Sequence, residues 1–303
     1  MECLVIGYGS MGARHAGILK EMGHSINVVS KRNLNEFPCF GSIKEALTEK
    51  NIDYVIISNE TFKHYFSFME LNEIGYSGKL LIEKPVFFDT CPPPKLCHEN
   101  VFVAYNLRFH PVIQKLREML QNEKICSFCV YAGQYLPDWR PGTDYTKSYS
   151  ASPAKGGGVL RDLSHEIDFI IWLLEGWERV TALGGRFSSL EISSDDVFAL
   201  AMVTARCPVV TVQLNYLDRI ARRFIIVNTA VHTIVADLIR GTIILDRDYE
   251  SFDVEKNMTY RLMHKSIIDN GYETACSLGE GVEVIRLIEA AELSAEKIRW
   301  IER

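Results

Sequence analysis

The run Gly7-Tyr8-Gly9-Ser10-Met11-Gly12 constrains this chain more than any other feature, because of what flanks it. Before it stands a short apolar run, Cys3–Ile6; after it comes an amphipathic stretch, Met11–Met22. That is the end of a buried strand and the start of a helix, where each glycine has its own work. The first permits a tight turn, the second lets the backbone approach a pyrophosphate, and the third lets helix and strand pack closely. Ser10 and Met11 open the helix, whose free N–H groups favour an anion.

The pattern continues. Ile26–Ser30, Tyr54–Ser58, Leu80–Ile82 and Val101–Ala104 read as further buried parallel strands. Helices are expected near Met11–Met22, Ile43–Lys50 and Phe62–Ile74, with Ser10, Ser42 and Thr61 as their caps. Strand and helix in alternation mean an open, doubly wound sheet, a Rossmann domain. Cys91-Pro-Pro-Pro94 breaks the next crossover, which should be partly loop.

After Tyr105 the rhythm changes. A helix over Pro111–Leu120, a strand around Ile125–Tyr131 and a long polar-aromatic segment, Gln134–Lys155, lead to a helix over about Val159–Leu174. Strand-like runs then dominate: Ala182–Phe187, Val197–Ala205, Val209–Leu217, Phe224–Asn228, Thr233–Ala236 and Thr242–Leu245. Turns separate them, so a mostly antiparallel sheet is expected, closed by helices around Met258–Ile268 and Gly279–Trp300. The fold class is α/β: a dinucleotide-binding Rossmann domain over residues 1–106 and an α+β domain over 107–303.

At 303 residues the chain can support two cores. A net charge of −6 argues against nucleic acid as a partner. No window approaches the roughly 18 apolar residues of a membrane span, so no membrane partner is expected. The first residues lead straight into a strand with no signal-peptide pattern, and the eight cysteines are irregularly spaced, so reduced thiols and a cytoplasmic location are expected. Cys126 and Cys129 form a CxxC spacing inside a strand and read as buried thiols, and no His or Cys pair makes a zinc signature, so no metal is expected.

Cofactor choice rests on the second strand. Where a ribose-binding acid would stand, the chain has Ser30-Lys31-Arg32, a hydroxyl and two cations suited to a 2′-phosphate. NADP(H) is favoured over NAD(H), which stays possible. Glu83-Lys84-Pro85 ends a strand at the edge where such sheets bind ligands. Lys84 there can donate to a substrate oxygen and stabilise developing negative charge, and the Lys-Pro bond admits either isomer. After Gly156-Gly157-Gly158, Asp162, His165 and Asp168 recur at steps of three, so one helix would present them together. A histidine between carboxylates suits general acid/base work. Trp139, Arg140 and Tyr145 offer flat faces and a cation to a sugar-like substrate, or pin an irregular loop. Arg219, Arg222 and Arg223 read equally as anion contacts or a charged edge strand.

Together, the glycine loop with Arg14-His15 after it, Ser58-Asn59-Glu60-Thr61 with His64, Glu83-Lys84-Pro85, and the triple glycine with Asp162 and His165 resemble the Gfo/Idh/MocA oxidoreductase family. The resemblance implies hydride transfer at a carbon of a sugar, sugar nucleotide or polyol, with Lys84 and His165 binding the reacting oxygen and exchanging its proton. It places Ser58, Asn59, Glu60, His64, Glu83, Asn106 and Arg108 near the cofactor. It also implies a homodimer or homotetramer formed through the C-terminal sheet. The spacing from Asp162 to His165 is three where the family has four, so anchoring on the histidine selects Arg161 instead. The wording of the 162–168 segment looks most like members from surface-polysaccharide or nonulosonic-acid pathways. A regulatory dinucleotide sensor of the same fold, and transient redox within an elimination or epimerisation, are the alternatives.

Overall fold

A computed structural model of the chain describes residues 1–32, 34–90 and 100–303; the Cys91–Pro94 break lies outside the described residues. Strands and helices run, in chain order, β1 (Glu2–Ile6), α1 (Ser10–Glu21), β2 (Ser25–Val29), β3 (Cys39–Phe40), α2 (Ile43–Glu49), β4 (Tyr54–Ile57), α3 (Thr61–Ile74), β5 (Lys79–Ile82) and β6 (Val101–Val103). They continue as α4 (Pro111–Leu120), β7 (Ile125–Gly133), α5 (Val159–Asp162), α6 (Ser164–Leu173), β8 (Arg179–Gly185), β9 (Val197–Val203), β10 (Val210–Asn215) and β11 (Arg222–Thr229). The last are β12 (Thr233–Asp237), β13 (Thr242–Leu245), β14 (Asp248–Ser251), α7 (Met258–Ile268), β15 (Cys276–Ser277), α8 (Leu278–Lys297) and β16 (Ile301–Glu302). The 134–155 segment forms four 3-10 turns. Among the described residues no helix is long and apolar enough to cross a membrane.

The chain divides into two compact units. The first joins residues 1–109 to residues 256–285; the second joins 110–255 to 286–303. Residues 256–285, read in sequence as part of the second domain, therefore cluster with the first.

In the first unit seven strands lie in the order β15-β6-β5-β4-β1-β2-β3. All pairs are parallel except β15 with β6. Parallel strands covered on both faces need continuous apolar runs, and β1, β4 and β5 are buried almost throughout. Register aligns Ile6 with Val29 and Ile57, and Ile57 with Ile82, so these strands end on one edge. Strand order reverses at β1, the switch point at which such sheets open a ligand crevice. Lys79 Nζ donates to the carbonyls of Ile267 and Ile268 and to Asn270 Oδ1, at 2.6–2.7 Å. A cation at the orphan carbonyls of α7 satisfies that helix end and fastens it to β5.

In the second unit nine strands lie in the order β14-β13-β12-β11-β7-β10-β9-β8-β16. They pair antiparallel except β7 with β10, which are parallel. Alternation runs through β9 and through β10 up to Leu214: Phe198, Leu200 and Met202 are buried while Ala199 and Thr211 face outward. Helices α4 and α5 pack on the buried side. The outward side carries a depression of about 540 Å³ lined by Tyr131, Leu183, Ala199, Ala201, Thr211 and Phe224. Cys129 also lines it, and Cys126 is exposed, so the expected burial of both thiols does not hold. β11 is interior, between β12 and β7, so its arginines are not a charged edge strand.

Candidate active site

Gly7 closes β1 with φ +91°, a backbone region that side chains avoid. A Cβ on Gly12 would collide with the Gly7 carbonyl and Ser58 Oγ, so close helix–strand approach requires glycine there. Gly9 meets open space, where a ligand can approach the backbone. Ser10, expected as the cap of α1, is its first helical residue; Gly9 is the cap and, among the described residues, supplies no side-chain cap to the first-turn N–H groups. Met11 follows in that turn. The amides are thus left for an anion. Thr61, expected to cap α3, is likewise its first residue, whereas Ser42 accepts from Glu45 N as expected.

Ser58 Oγ donates to the Gly7 carbonyl at 3.0 Å and ties β4 to the loop. Asn59 Nδ2 donates to Ser67 Oγ, while its Oδ1 is buried with no partner among the described residues. Asn106 shows the same pattern: Nδ2 donates to Thr259 Oγ1 at 2.6 Å and Oδ1 is left buried with no partner among the described residues. Two orphan acceptors cost free energy unless a ligand supplies donors. With the open approach at Gly9, they fit a bound dinucleotide.

After β2, Ser30 Oγ accepts from Arg32 N at 3.0 Å and the Arg32 guanidinium donates to the Tyr8 carbonyl at 3.2 Å. Lys31 and Arg32 are exposed. Glu60 is outside the cradle's interior, paired with Lys63 on the surface. His64 is fully buried against the carbonyls of Asn59, Pro85 and Val86, and burial pushes its pKa down. Arg108 is 1% exposed and bonds Glu280 at 2.9 Å.

Glu83 directly follows β5 and is buried. Its Oε1 lies 2.7 Å from His15 Nε2 and its Oε2 accepts from Lys84 N at 3.0 Å. Burial pushes its carboxyl up, but the His15 hydrogen bond and the Lys84 charge outweigh this and hold it below the ordinary carboxylate value. Lys84 is half-buried and its bond to Pro85 is cis.

In the second unit the helix expected over Val159–Leu174 breaks at Leu163. Asp162 therefore ends α5 while His165 and Asp168 sit one turn apart in α6, so the three do not share one helical face. Asp162, His165 and Asp168 are all buried. Tyr216 Oη donates to Asp162 Oδ2 at 2.6 Å, and Tyr149 also bonds Asp162. Burial pushes both phenols well above the ordinary value, and the carboxylate adds to it. Trp139 packs edge-on to Tyr216 with centroids 5.2 Å apart, and Arg140 lies 5.6 Å over the Tyr149 ring. Tyr145 Oη instead accepts from Glu191 N, pinning its loop. Arg223 pairs with buried Glu166 at 2.6 Å, and Arg219 lies over Tyr135.

Two family models match this chain: the NAD-binding Rossmann fold of the oxidoreductase family over residues 1–99, and the Gfo/Idh/MocA C-terminal domain over residues 113–231. The chain belongs to the Gfo/Idh/MocA oxidoreductase family. Among solved structures, GenD2 from gentamicin A biosynthesis in complex with NAD is 19% identical with TM-score 0.81, over 100% of this chain and 96% of that one. The WlbA dehydrogenase from Bordetella pertussis, in complex with NADH and UDP-GlcNAcA, is 16% identical with TM-score 0.83, over 100% and 97%. A levoglucosan dehydrogenase in complex with NADH and L-sorbose is 15% identical with TM-score 0.85, over 100% and 98%. Those likenesses are of fold. No curated protein matches the chain.

For this Gfo/Idh/MocA oxidoreductase, the fold class read from the glycine loop and the later strands is correct. Four polar partners of the motif residues carried no sequence signal of their own: Tyr54, Tyr149, Tyr216 and His264. Each sits in an ordinary-looking strand, loop or helix, and only the folded chain brings it to Glu83's network or to Asp162.

Proposed function

We propose that this protein is an NADP(H)-dependent dehydrogenase or reductase that moves a hydride to or from an alcohol carbon of a sugar, sugar nucleotide or polyol. The observation that carries the proposal is the Glu83-Lys84-Pro85 turn, where a buried carboxylate fixes the lysine backbone at the end of β5. Lys84 would bind and polarise the reacting oxygen, His165 would exchange its proton, and Asp162, held by Tyr149 and Tyr216, would stay oriented toward the same chemistry. The nicotinamide ring supplies the hydride-carrying carbon when bound.

The first unit would hold the cofactor through Gly7, Gly9, Ser10, Met11 and Gly12 at the phosphates. Ser30, Lys31 and Arg32 would lie at the adenosine 2′-position; Ser58, Asn59, Glu60, His64, Glu83, Asn106 and Arg108 would line the rest. Trp139, Arg140, Tyr145 and Asp168 would serve the substrate. NAD(H) is the second reading of the cofactor, favoured by the family description as NAD-binding and by neighbours solved with NAD or NADH. Sugar or sugar-nucleotide chemistry is supported by the ligands named for WlbA and the levoglucosan dehydrogenase. A cytoplasmic homodimer or homotetramer, joined through the outward side of the nine-stranded sheet, completes the reading.

Lys84→Ala and His165→Ala are expected to bind NADP⁺ like the wild type and to lose turnover by roughly a hundred-fold or more. Dinucleotide titration with steady-state assays on UDP-sugars and polyols checks this. Full turnover in both variants would overturn the assigned roles. Cofactor binding without turnover of any such substrate by the wild type would favour a dinucleotide sensor.

A further inference from the structure

Behind Glu83 the first unit buries an unbroken chain of polar groups that the proposed chemistry does not use. Tyr54 Oη lies 3.0 Å from His264 Nδ1, His264 Nε2 lies 2.8 Å from His15 Nδ1, and His15 Nε2 lies 2.7 Å from Glu83 Oε1. Tyr54, His15 and His264 are completely buried. The histidine rings meet edge to face, and Tyr54 and Tyr260 pack edge-on against His264 and His15 respectively.

With His264 neutral, two proton arrangements satisfy this geometry, and they differ at its far end. Glu83 is a carboxylate, so His15 Nε2 must carry a hydrogen. In the first arrangement His15 Nδ1 is a lone pair, His264 donates from Nε2, and Tyr54 donates its hydroxyl hydrogen to His264 Nδ1. Every donor then has an acceptor. In the second, His15 donates from both nitrogens, His264 donates from Nδ1 to the Tyr54 oxygen, and the Tyr54 hydrogen has no acceptor among the described residues. An unmet buried hydroxyl is the costlier state. Burial and the neighbouring His15 hold the His264 pKa well below its ordinary value, in keeping with a neutral ring.

We propose that Tyr54 and His264 are positioning residues: by fixing His15 as a one-directional donor they hold Glu83, and with it the Lys84 turn, in one orientation toward the bound nicotinamide cofactor. Donation runs Tyr54 to His264 to His15 to Glu83, and Glu83 keeps its second oxygen for Lys84 N. The inference rests on the reading of Glu83 and Lys84 as cofactor-side residues.

The test uses the full-length protein with ¹⁵N-labelled histidine. Long-range ¹H–¹⁵N spectra are expected to show both His15 and His264 hydrogen-bearing at Nε2 and bare at Nδ1. His264→Leu, which can neither accept nor donate, is expected to weaken NADP⁺ and NAD⁺ binding about ten-fold. His264→Gln, whose amide can do both, stays within about two-fold of wild type. Tyr54→Phe, which keeps the ring and deletes one donor, loses about three-fold with the melting temperature nearly unchanged. An Nδ1-bearing His264 would overturn the proposal. So would His264→Gln binding as poorly as His264→Leu at matched melting temperatures, since packing alone would then explain both. Should the wild type bind neither dinucleotide, the cofactor reading fails, and the spectra still decide the proton arrangement.

Discussion

At the scale of single residues, the proposed preference for NADP(H) rests on Arg32. Its guanidinium reaches back to the Tyr8 carbonyl within the glycine loop, while its amide is fixed by Ser30 Oγ. A cation held over that loop suits a 2′-phosphate and gives nothing to a free ribose hydroxyl that an acid would not give better. Arg32→Glu is expected to cut the kcat/KM ratio of NADP⁺ to NAD⁺ by roughly ten-fold or more, because a charge-assisted contact becomes a repulsion. Paired initial-rate measurements with the two cofactors check it; an unchanged ratio would return the residue to the role of loop brace. Ser30, Lys31 and Arg32 stand out in the sequence because they fill a place where an acid normally stands. His264 was not, since 249 residues separate it from His15 and nothing in Met258–Ile268 distinguishes a buried network from an ordinary amphipathic helix.

At the scale of elements, the single turn α5 depends on Asp195. Its side chain accepts from Leu160 N at 3.1 Å and its carbonyl accepts from Val159 N, while Gly158 takes φ +128° with no room for a Cβ beside the carboxylate. Burial raises the Asp195 pKa from 3.8 to about 6. A carboxyl raised on folding stabilises the fold in its protonated form. The contribution is fully present below about pH 4 and is lost as pH rises through about 6. Asp195→Asn keeps an acceptor for Leu160 and removes the titration. The wild type is therefore expected to lose about 2 kcal/mol relative to this variant between pH 4 and pH 7, read from urea unfolding at both pH values. A constant difference across that range would count against it.

The same element shows where sequence reading ends. Glycines and apolar runs located nearly every long strand and helix, because periodicity survives in any segment of a few turns. The break at Leu163 left no mark, since 159–174 is apolar enough to read as one helix. The two-residue strands Cys39–Phe40 and Cys276–Ser277 are too short for a period, and only their partners make them strands. Asp162 was legible as a residue; its two tyrosine donors, from 149 and 216, were not.

At the scale of the whole molecule, the outward side of the nine-stranded sheet is the feature most unlike a finished surface. Leu183 is 72% exposed and Phe187 71%, close to a depression floored by small side chains. Isolated exposed apolar residues are ordinary, whereas a continuous apolar face suits association with a second copy. Leu183→Arg is expected to convert the proposed oligomer to monomer in sedimentation velocity while leaving the melting of the first unit's fold intact. A wild type that sediments as a monomer at micromolar concentration would remove this part of the reading.

The first unit is assembled from two stretches with the whole of 110–255 between them. A growing polypeptide leaves the ribosome from its amino terminus and tends to fold domain by domain as it emerges. Here residues 1–109 come out first but lack α7, β15 and the His264 ring. Lys79 has no helix end to hold, and His15 and Tyr54 have no partner between them. The nucleotide-binding unit is thus the first begun and among the last completed, and during that interval its unfinished sheet edge at β6 is the surface a chaperone would meet.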